Sequence, residues 1–337
     1  MTWGSSAPGA EAAGGGSSPG RRDGSGPRAT YAVIGDVHHH FDDTDVAQLD
    51  GAGYDAVLFT GDLSDWDWRK GLVVARRIAA LRTPAFVVPG NHDAVLPLQL
   101  VSEVLGWHSL RRTLGAGQPR RLDALARALD PARLVAYETC PLPARLGPIV
   151  LLAARPHAMG GDQIAFPRHL RRAHRVASLG ESAHRLRALI DALDPSVPLI
   201  VLAHNGPRGL GAERTAPFGC DFRPGEGDWG DPDLAEAVAH AVAAGRRVLA
   251  VVAGHMHHRL RGGGSRRTRG ELAGVPCINA AAVPRHLPGK KPGAGGRRGR
   301  LPVDRRHHVR LSIEGDRVVA DDVWLQSPGL LERSPRR

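Results

Sequence analysis

The chain predicts an α/β fold on a parallel, helix-covered sheet, from three observations. After residue 29, strand-like and helix-like segments alternate as β-α-β-α-β. Five apolar runs, spread over two-thirds of the chain, each end in Asp, His or Asn. No repeat and no long apolar span interrupts this order.

The first strand is Thr30 to Gly35, followed by a polar helix or turn through Asp42 to Asp50. Tyr54 to Gly61 is the second strand. Trp66 to Leu81 is an amphipathic helix with apolar residues at Leu72, Val73, Ala75, Ile78, Ala79 and Leu81. Pro84 stops it before a third strand, Ala85 to Pro89. Leu96 to Leu105 and Leu122 to Leu129 read as helices either side of the Gly115-Ala116-Gly117 loop. Ile149 to Ala154 is another strand, and residues 155–180, rich in His and Arg, read as a loop overhanging the strand ends. Ser182 to Leu193 is helical, and Leu199 to Ala203 is a strand. Pro232 to Ala244 is a helix with Asp231 as N-cap and Gly245 as its stop. Val248 to Ala253 and Val275 to Ala281 are strands. His307 to Ile313 and Arg317 to Leu325 form a closing hairpin around Glu314-Gly315-Asp316. One domain is expected over 29–326, between a Gly/Ser/Pro-rich flexible tail at 1–28 and a short tail at 327–337, with a flexible basic loop at 284–304.

Residues 1–28 have no apolar h-region, so no secretory signal is read there. Cys140, Cys220 and Cys277 are sparse and form no C-x-x-C pair, which excludes a disulfide framework and a cysteine-held zinc. A cytoplasmic location is expected, or the plastid stroma if the source is a plant or alga. Cys220 reads as packing or as a loop residue near the site. The formal charge is +11, and residues 261–310, with thirteen Lys and Arg against Glu271 and Asp304, supply all of it. No aromatic residues interleave there to stack bases, so the window reads as a solvated basic loop rather than a nucleic-acid surface.

The polar blocks are Gly35-Asp36-Val37-His38, Gly61-Asp62, Gly90-Asn91-His92-Asp93, His204-Asn205 and Gly254-His255-Met256-His257. Ligands of α/β sheets sit outside the carboxyl ends of strands, so these blocks point to one shared site. Carboxylate, imidazole and amide donors suit divalent transition metals. The one-residue gaps of Asp36-Val37-His38 and His255-Met256-His257 aim paired side chains to one side of an extended segment. Asp62, with two acceptor oxygens, is able to bridge two cations.

These five blocks, in this order, resemble the calcineurin-like metallophosphoesterase superfamily over residues 31–283. A finer likeness, to a largely uncharacterised cyanobacterial and plant plastid-type subgroup, rests on four stretches. These are His204-Asn205-Gly206-Pro207-Arg208-Gly209-Leu210-Gly211, Asp228 through Ala235, and Gly254 through Leu260 with Asn279-Ala280-Ala281. The resemblance implies a four-layer α/β/β/α sandwich. It implies Asp36, His38 and His257 on a first divalent ion, Asn91, His204 and His255 on a second, and Asp62 shared. Mn, Fe or Zn would fit. It also implies His92 as the histidine facing the leaving group. Two cations about 3.5–4 Å apart would hold a hydroxide for in-line attack on a phosphomonoester or phosphodiester. Asp65 matches a carboxylate that orients such a histidine in the serine/threonine phosphatase branch, but Trp66 stands where that branch has arginine.

Other candidates divide between structural and substrate roles. His39 and His40 read as solvated or supporting groups, and His258 likewise. Asp93 is a turn former or a ligand orienter. Asn205, Arg208 and Arg259 are loop stabilisers or phosphate contacts, and Asp221 and Asp228 are lid or supporting groups. Trp66, Trp68, Trp107 and Trp229 are core or rim. Specificity is expected from residues 94–180 and 206–231. A small phosphoester is the expected partner. A nuclease and a catalytically silent scaffold are the alternatives.

Overall fold

The computed structural model describes residues 28–288 and 303–328, apart from residues 146, 224, 226 and 316. The terminal tails expected from the sequence lie almost wholly outside the described residues, as does most of the basic loop.

Two mixed sheets pack face to face. The first holds β1 (Arg28–Ile34), β2 (Ala56–Phe59), β3 (Ala85–Val87) and β4 (Arg133–Leu134) in parallel. The second is formed by β5 (Glu138–Leu142), β6 (Ile149–Ala153), β7 (Leu199–Leu202), β8 (Val248–Ala253), β9 (Arg269–Leu272) and β10 (Val275–Asn279). Its order is β5-β6-β7-β8-β10-β9, with parallel pairs inside and antiparallel pairs at both edges. Back in the first sheet, β11 (His286–Leu287), β12 (Val303–Glu314) and β13 (Arg317–Pro328) complete its antiparallel side. β12 pairs along its whole length with β13, and with β1 and β11 in tandem along its other flank.

Side chains alternate across β1, and this builds the layers. Tyr31 and Val33 face the second sheet and join Leu58, Leu151, Leu202, Val252 and Leu311 in the central core. Ala32 and Ile34 face outward onto α1 (Asp43–Gly51), α2 (Trp68–Ile78) and, through Leu125 and Leu129, α5 (Gln118–Leu129). The outer face of the second sheet is covered by α7 (Leu179–Asp191) and α8 (Pro232–Ala243), through Leu186, Ile190, Leu234 and Val238. Each buried Leu, Ile or Val contributes roughly 1.5–3 kcal/mol. This is the expected α/β/β/α sandwich.

Three helices, α3 (Pro97–Leu105), α4 (His108–Leu114) and α6 (Pro167–His174), lie on the long connections at the carboxyl edge. The sequence reading has α3 but neither α4 nor α6. α6 sits inside the expected 155–180 loop, where Phe166 in the left-handed region (φ 51°) and Pro167 start it abruptly. Two further expectations need correction. Asp231 precedes α8 but makes no side-chain cap, because its carboxylate is taken by Arg155 at 2.7 Å. The basic window is also less solvated than expected. Arg266, Arg285 and Arg306 are buried, with Asp221, Asp45 and Asp42 as their respective carboxylate partners. Within the 284–304 segment itself, His286–Leu287 pairs with β12.

Candidate metal centre

The five polar blocks emerge from β1, β2 and β3 of one sheet and from β7 and β8 of the other. The site therefore straddles the carboxyl edges of two packed sheets. Cross-links close it: His255 N–H donates to Asp36 Oδ1 (2.9 Å), and His204 Nδ1–H donates to the Thr60 carbonyl (2.6 Å).

The chain accepts local strain here. Asp36, His38, Asp62 and His255 all have left-handed φ (41°, 41°, 50° and 65°), at roughly 1–3 kcal/mol each. Two glycines permit the close packing. A Cβ on Gly90 would lie 2.2 Å from Asp62 Oδ1 and 2.6 Å from His204 Cε1. A Cβ on Gly254 would lie 2.3 Å from Asp36 Oδ1.

Two groups of donors result. Asp36, His38 and His257 form one, and Asp62, His204 and His255 the other, with the ligand atoms of each within 4.8 Å of one another. Asn91 joins the second, its Oδ1 lying 2.8 Å from His204 Nε2. The seven residues are thus brought together, with Asp62 falling in the second group.

The donor set fits cations. His204 gives its Nδ1–H to Thr60, so its Nε2 meets the Asn91 oxygen with a lone pair unless protonated. Asp36 Oδ2 is buried without an aligned donor, although His257 Nε2 stands 3.2 Å away. Burial alone would raise the Asp36 carboxyl. Bonding and charge from His257, with His204 and His38 behind, hold it well below the usual carboxylate range. Burial likewise opposes ionisation of Asp62, but His204 and His92 carry it downward. His255 is pushed down to about 3, by burial first and by His204 second, so it stays neutral. Two buried carboxylates demand positive charge. Burial opposes it on His204 and His257, but Asp62 and Asp36 raise both imidazoles, so without a metal these rings are the groups that meet the demand.

His92 lies beside the first group, its ring centroid 5.5 Å from that of His38. Its N–H donates to Asp62 Oδ1 (2.9 Å), which ties it to the second group as well. Asp65 is the residue that holds the side chain, through its carbonyl oxygen more closely than its carboxylate. Nδ1–H donates to the Asp65 carbonyl oxygen (2.9 Å), while the Asp65 carboxylate is 3.7 Å away. Trp66, half exposed, stands edge-on to the His92 ring at 5.5 Å and is a rim residue.

The remaining candidates are mostly structural. Asp93 is buried and clamps two loops, accepting from Leu63 N–H and Gly90 N–H at 2.9 Å each. Burial, then Asp62, raise its carboxyl to about 7. Asn205 donates to the Trp229 carbonyl (3.0 Å). Arg208 pairs with Asp162 (2.6 Å) across the two loops expected to set specificity. His258 faces away from the centre, bonded through Nε2 to the Asn279 carbonyl (2.9 Å). Arg259 is exposed. Asp228 holds Gly209 and Gly230 N–H. Cys220 is buried and free.

Sequence reading missed two supports. His157 accepts no role from its position alone, yet its ring Nδ1 bonds the Gly90 carbonyl (2.7 Å) and its N–H the Pro89 carbonyl (2.8 Å). Arg155, also just beyond β6, holds Asp231 and Asp233. The available signal was the apolar run Leu151 to Ala154, which ends in Arg-Pro-His just as the ligand strands end in their polar blocks.

An α/β/β/α sandwich with paired His/Asp groups at its carboxyl edge defines a metallohydrolase-like class of protein. The family model for calcineurin-like phosphoesterases matches residues 29–259, and the chain belongs to that family. One solved structure aligns over 87% of this chain and 98% of its own, at 11% identity and a TM-score of 0.49. Another, described as a novel archaeal phosphodiesterase, aligns over 88% of this chain and 99% of its own, at 10% identity and a TM-score of 0.36. No curated protein matches significantly. Among the described residues, no helix is long and apolar enough to cross a membrane.

Proposed function

We propose that the chain is a dinuclear metal-dependent phosphoesterase that hydrolyses a phosphomonoester or phosphodiester. Asp36, His38 and His257 would hold one divalent ion, Asn91, His204 and His255 the other, and Asp62 would be shared. Mn, Fe or Zn suits these donors. The observation that carries the reading is the convergence of two three-residue donor groups, the ligand atoms of each within 4.8 Å of one another. When bound, such a pair supplies a hydroxide at neutral pH and positive charge against the phosphoryl oxygens.

The protein's own residues do the rest. Thr60 and Ser64 carbonyls fix the tautomers of His204 and His38, so that Nε2 of each presents its lone pair. The Asp65 carbonyl fixes the Nδ1 proton of His92, so Nε2 is the atom that holds a proton for the departing oxygen. Trp66 shields one side of that ring. Three buried free cysteines suit a reducing compartment such as the cytoplasm.

The test is metal analysis with a broad phosphoester screen on wild type, Asp62→Ala and His92→Ala. Asp62→Ala is expected to lose metal and activity. His92→Ala is expected to keep metal and to lose roughly 10²–10⁴ in turnover. Full metal and full turnover in Asp62→Ala would overturn the shared-ligand assignment. Two bound ions with no turnover on any ester would favour a silent scaffold instead.

A further inference from the structure

A cavity of about 520 Å³ lies between α3, α4, α5 and the start of α6. Arg111, Arg112, Arg168, Arg171 and Arg172 line it, against one carboxylate, Glu103. Glu103 is engaged by Arg111 (3.3 Å) and by Phe166 N–H (3.2 Å). Arg112, Arg168, Arg171 and Arg172 are exposed, and Arg168 donates to the Arg112 carbonyl oxygen. On α6, Arg168 lies three and four residues from Arg171 and Arg172, so the three share a face and repel one another. The negative end of the helix favours Arg171 and Arg172. Arg112, in the last turn of α4, is favoured in the same way, but Arg168, in the first turn of α6, is not.

A second observation points to an acceptor. Arg121, which is only a donor, bonds Gln99 Oε1 (2.7 Å). That fixes the Gln99 amide, whose Nε2 donates to Gln118 Oε1 (2.7 Å). Gln118 is therefore oriented too, and its Nε2 is left as a buried donor with no partner, on a residue only 1% exposed that lines the cavity. Nδ1 of His169, another buried lining residue, is also unpartnered. Leaving such groups unsatisfied costs about 1–3 kcal/mol each.

We propose that this cavity binds a phosphorylated small molecule with two or more negative charges, at a site separate from the metal centre. Guanidinium forks match phosphate oxygens, and the oriented Gln118 amide supplies the neutral donor. The volume suits a small ligand. The site nevertheless backs onto the metal centre. The His169 ring stands 5.2 Å from that of His157, whose Nδ1 holds the carbonyl of Gly90, next to Asn91. His157 is fully buried.

Inorganic pyrophosphate is the probe, titrated calorimetrically into Asp62→Ala protein so that the metal centre does not compete. One equivalent is expected to bind. Adding Arg112→Ala with Arg171→Ala should weaken it at least tenfold, and Gln118→Met at least threefold. Arg76→Ala with Arg127→Ala, which removes equal charge elsewhere, should change it less than twofold. Equal losses in both double variants, no loss in Gln118→Met, or binding of an oligonucleotide but not of pyrophosphate would overturn the proposal. The metal-centre reading fails separately, through the metal content of the Asp62→Ala protein before pyrophosphate is added.

Discussion

His38 Nε2 and His257 Nε2 stand 3.2 Å apart, and Asp36 Oδ2 lies 3.2 Å from the same His257 nitrogen. His38 gives its Nδ1–H to the Ser64 carbonyl at 3.1 Å, so the nitrogen facing His257 carries a lone pair when the ring is neutral. Three acceptors so placed need a proton or a cation among them. His257 meets that need with a proton when no metal is bound: burial opposes its charge, but bonding and charge from Asp36 raise it overall. A cation takes the proton's place. His257→Ala should therefore lose one of two metal equivalents while the Asp62, His204 and His255 group keeps the other. Elemental analysis after gel filtration reads this, and two retained equivalents would sink it.

Asp65 separates this site from one built on a carboxylate–histidine pair. The Asp65 carbonyl, at 2.9 Å, holds the His92 proton, and the carboxylate at 3.7 Å is close to half exposed. Asp65→Ala keeps the carbonyl. Its turnover should fall less than about tenfold, against roughly 10²–10⁴ for His92→Ala. Steady-state rates on any accepted ester decide between them. A loss in Asp65→Ala equal to that in His92→Ala would show that the carboxylate is the orienting group.

The candidate ligands were legible because each is encoded locally, as an apolar run, often a glycine, and then a donor. The four layers were not so encoded. Alternation in β1 marks two faces, but nothing within Tyr31 to Ile34 says that the facing partners are Leu151 and Leu202 from another sheet. β4 has two residues and β5 breaks its run with Pro141, so neither carries a period. Asp231 shows the limit most clearly. Its local signature is an N-cap, yet Arg155, distant in sequence, offers a charged partner in a dry interior, and the long-range bond prevails. His257 and His258 are neighbours with the same donor chemistry, and only the turn of the backbone sends one to Asp36 and the other to Asn279.

Arg155 itself is 2% exposed and holds Asp233 at 2.8 Å and Asp231 at 2.7 Å. Ser182 Oγ adds a bond to Asp233, and Tyr137 OH reaches Ser182 at 2.6 Å. Arg155→Met would leave two buried carboxylates without their cation, a change that typically costs 3–5 kcal/mol. Urea denaturation should show that loss. A midpoint within error of wild type would mean that the network contributes nothing net.

Acid should destabilise the metal-free fold through buried histidines away from the centre. His308 is pushed down to about 3, by burial first and then by Arg285, His307 and Arg310; burial alone brings His169 to about 4. In the unfolded chain both return to about 6.5. Below that value the unfolded chain takes up protons the folded chain refuses. Stability is therefore whole above about pH 6.5 and is lost as pH falls toward 4. At pH 5 each group costs on the order of 2 kcal/mol. The check is the change in unfolding free energy between pH 7 and pH 5, in chelator-treated protein, for wild type and His308→Phe. Tyr54 OH, 2.5 Å from His308 Nε2, loses its partner in the variant at both pH values, so that penalty cancels in the difference. The pH-dependent loss should shrink by about 2 kcal/mol. An unchanged difference would show that His308 titrates alike in both states.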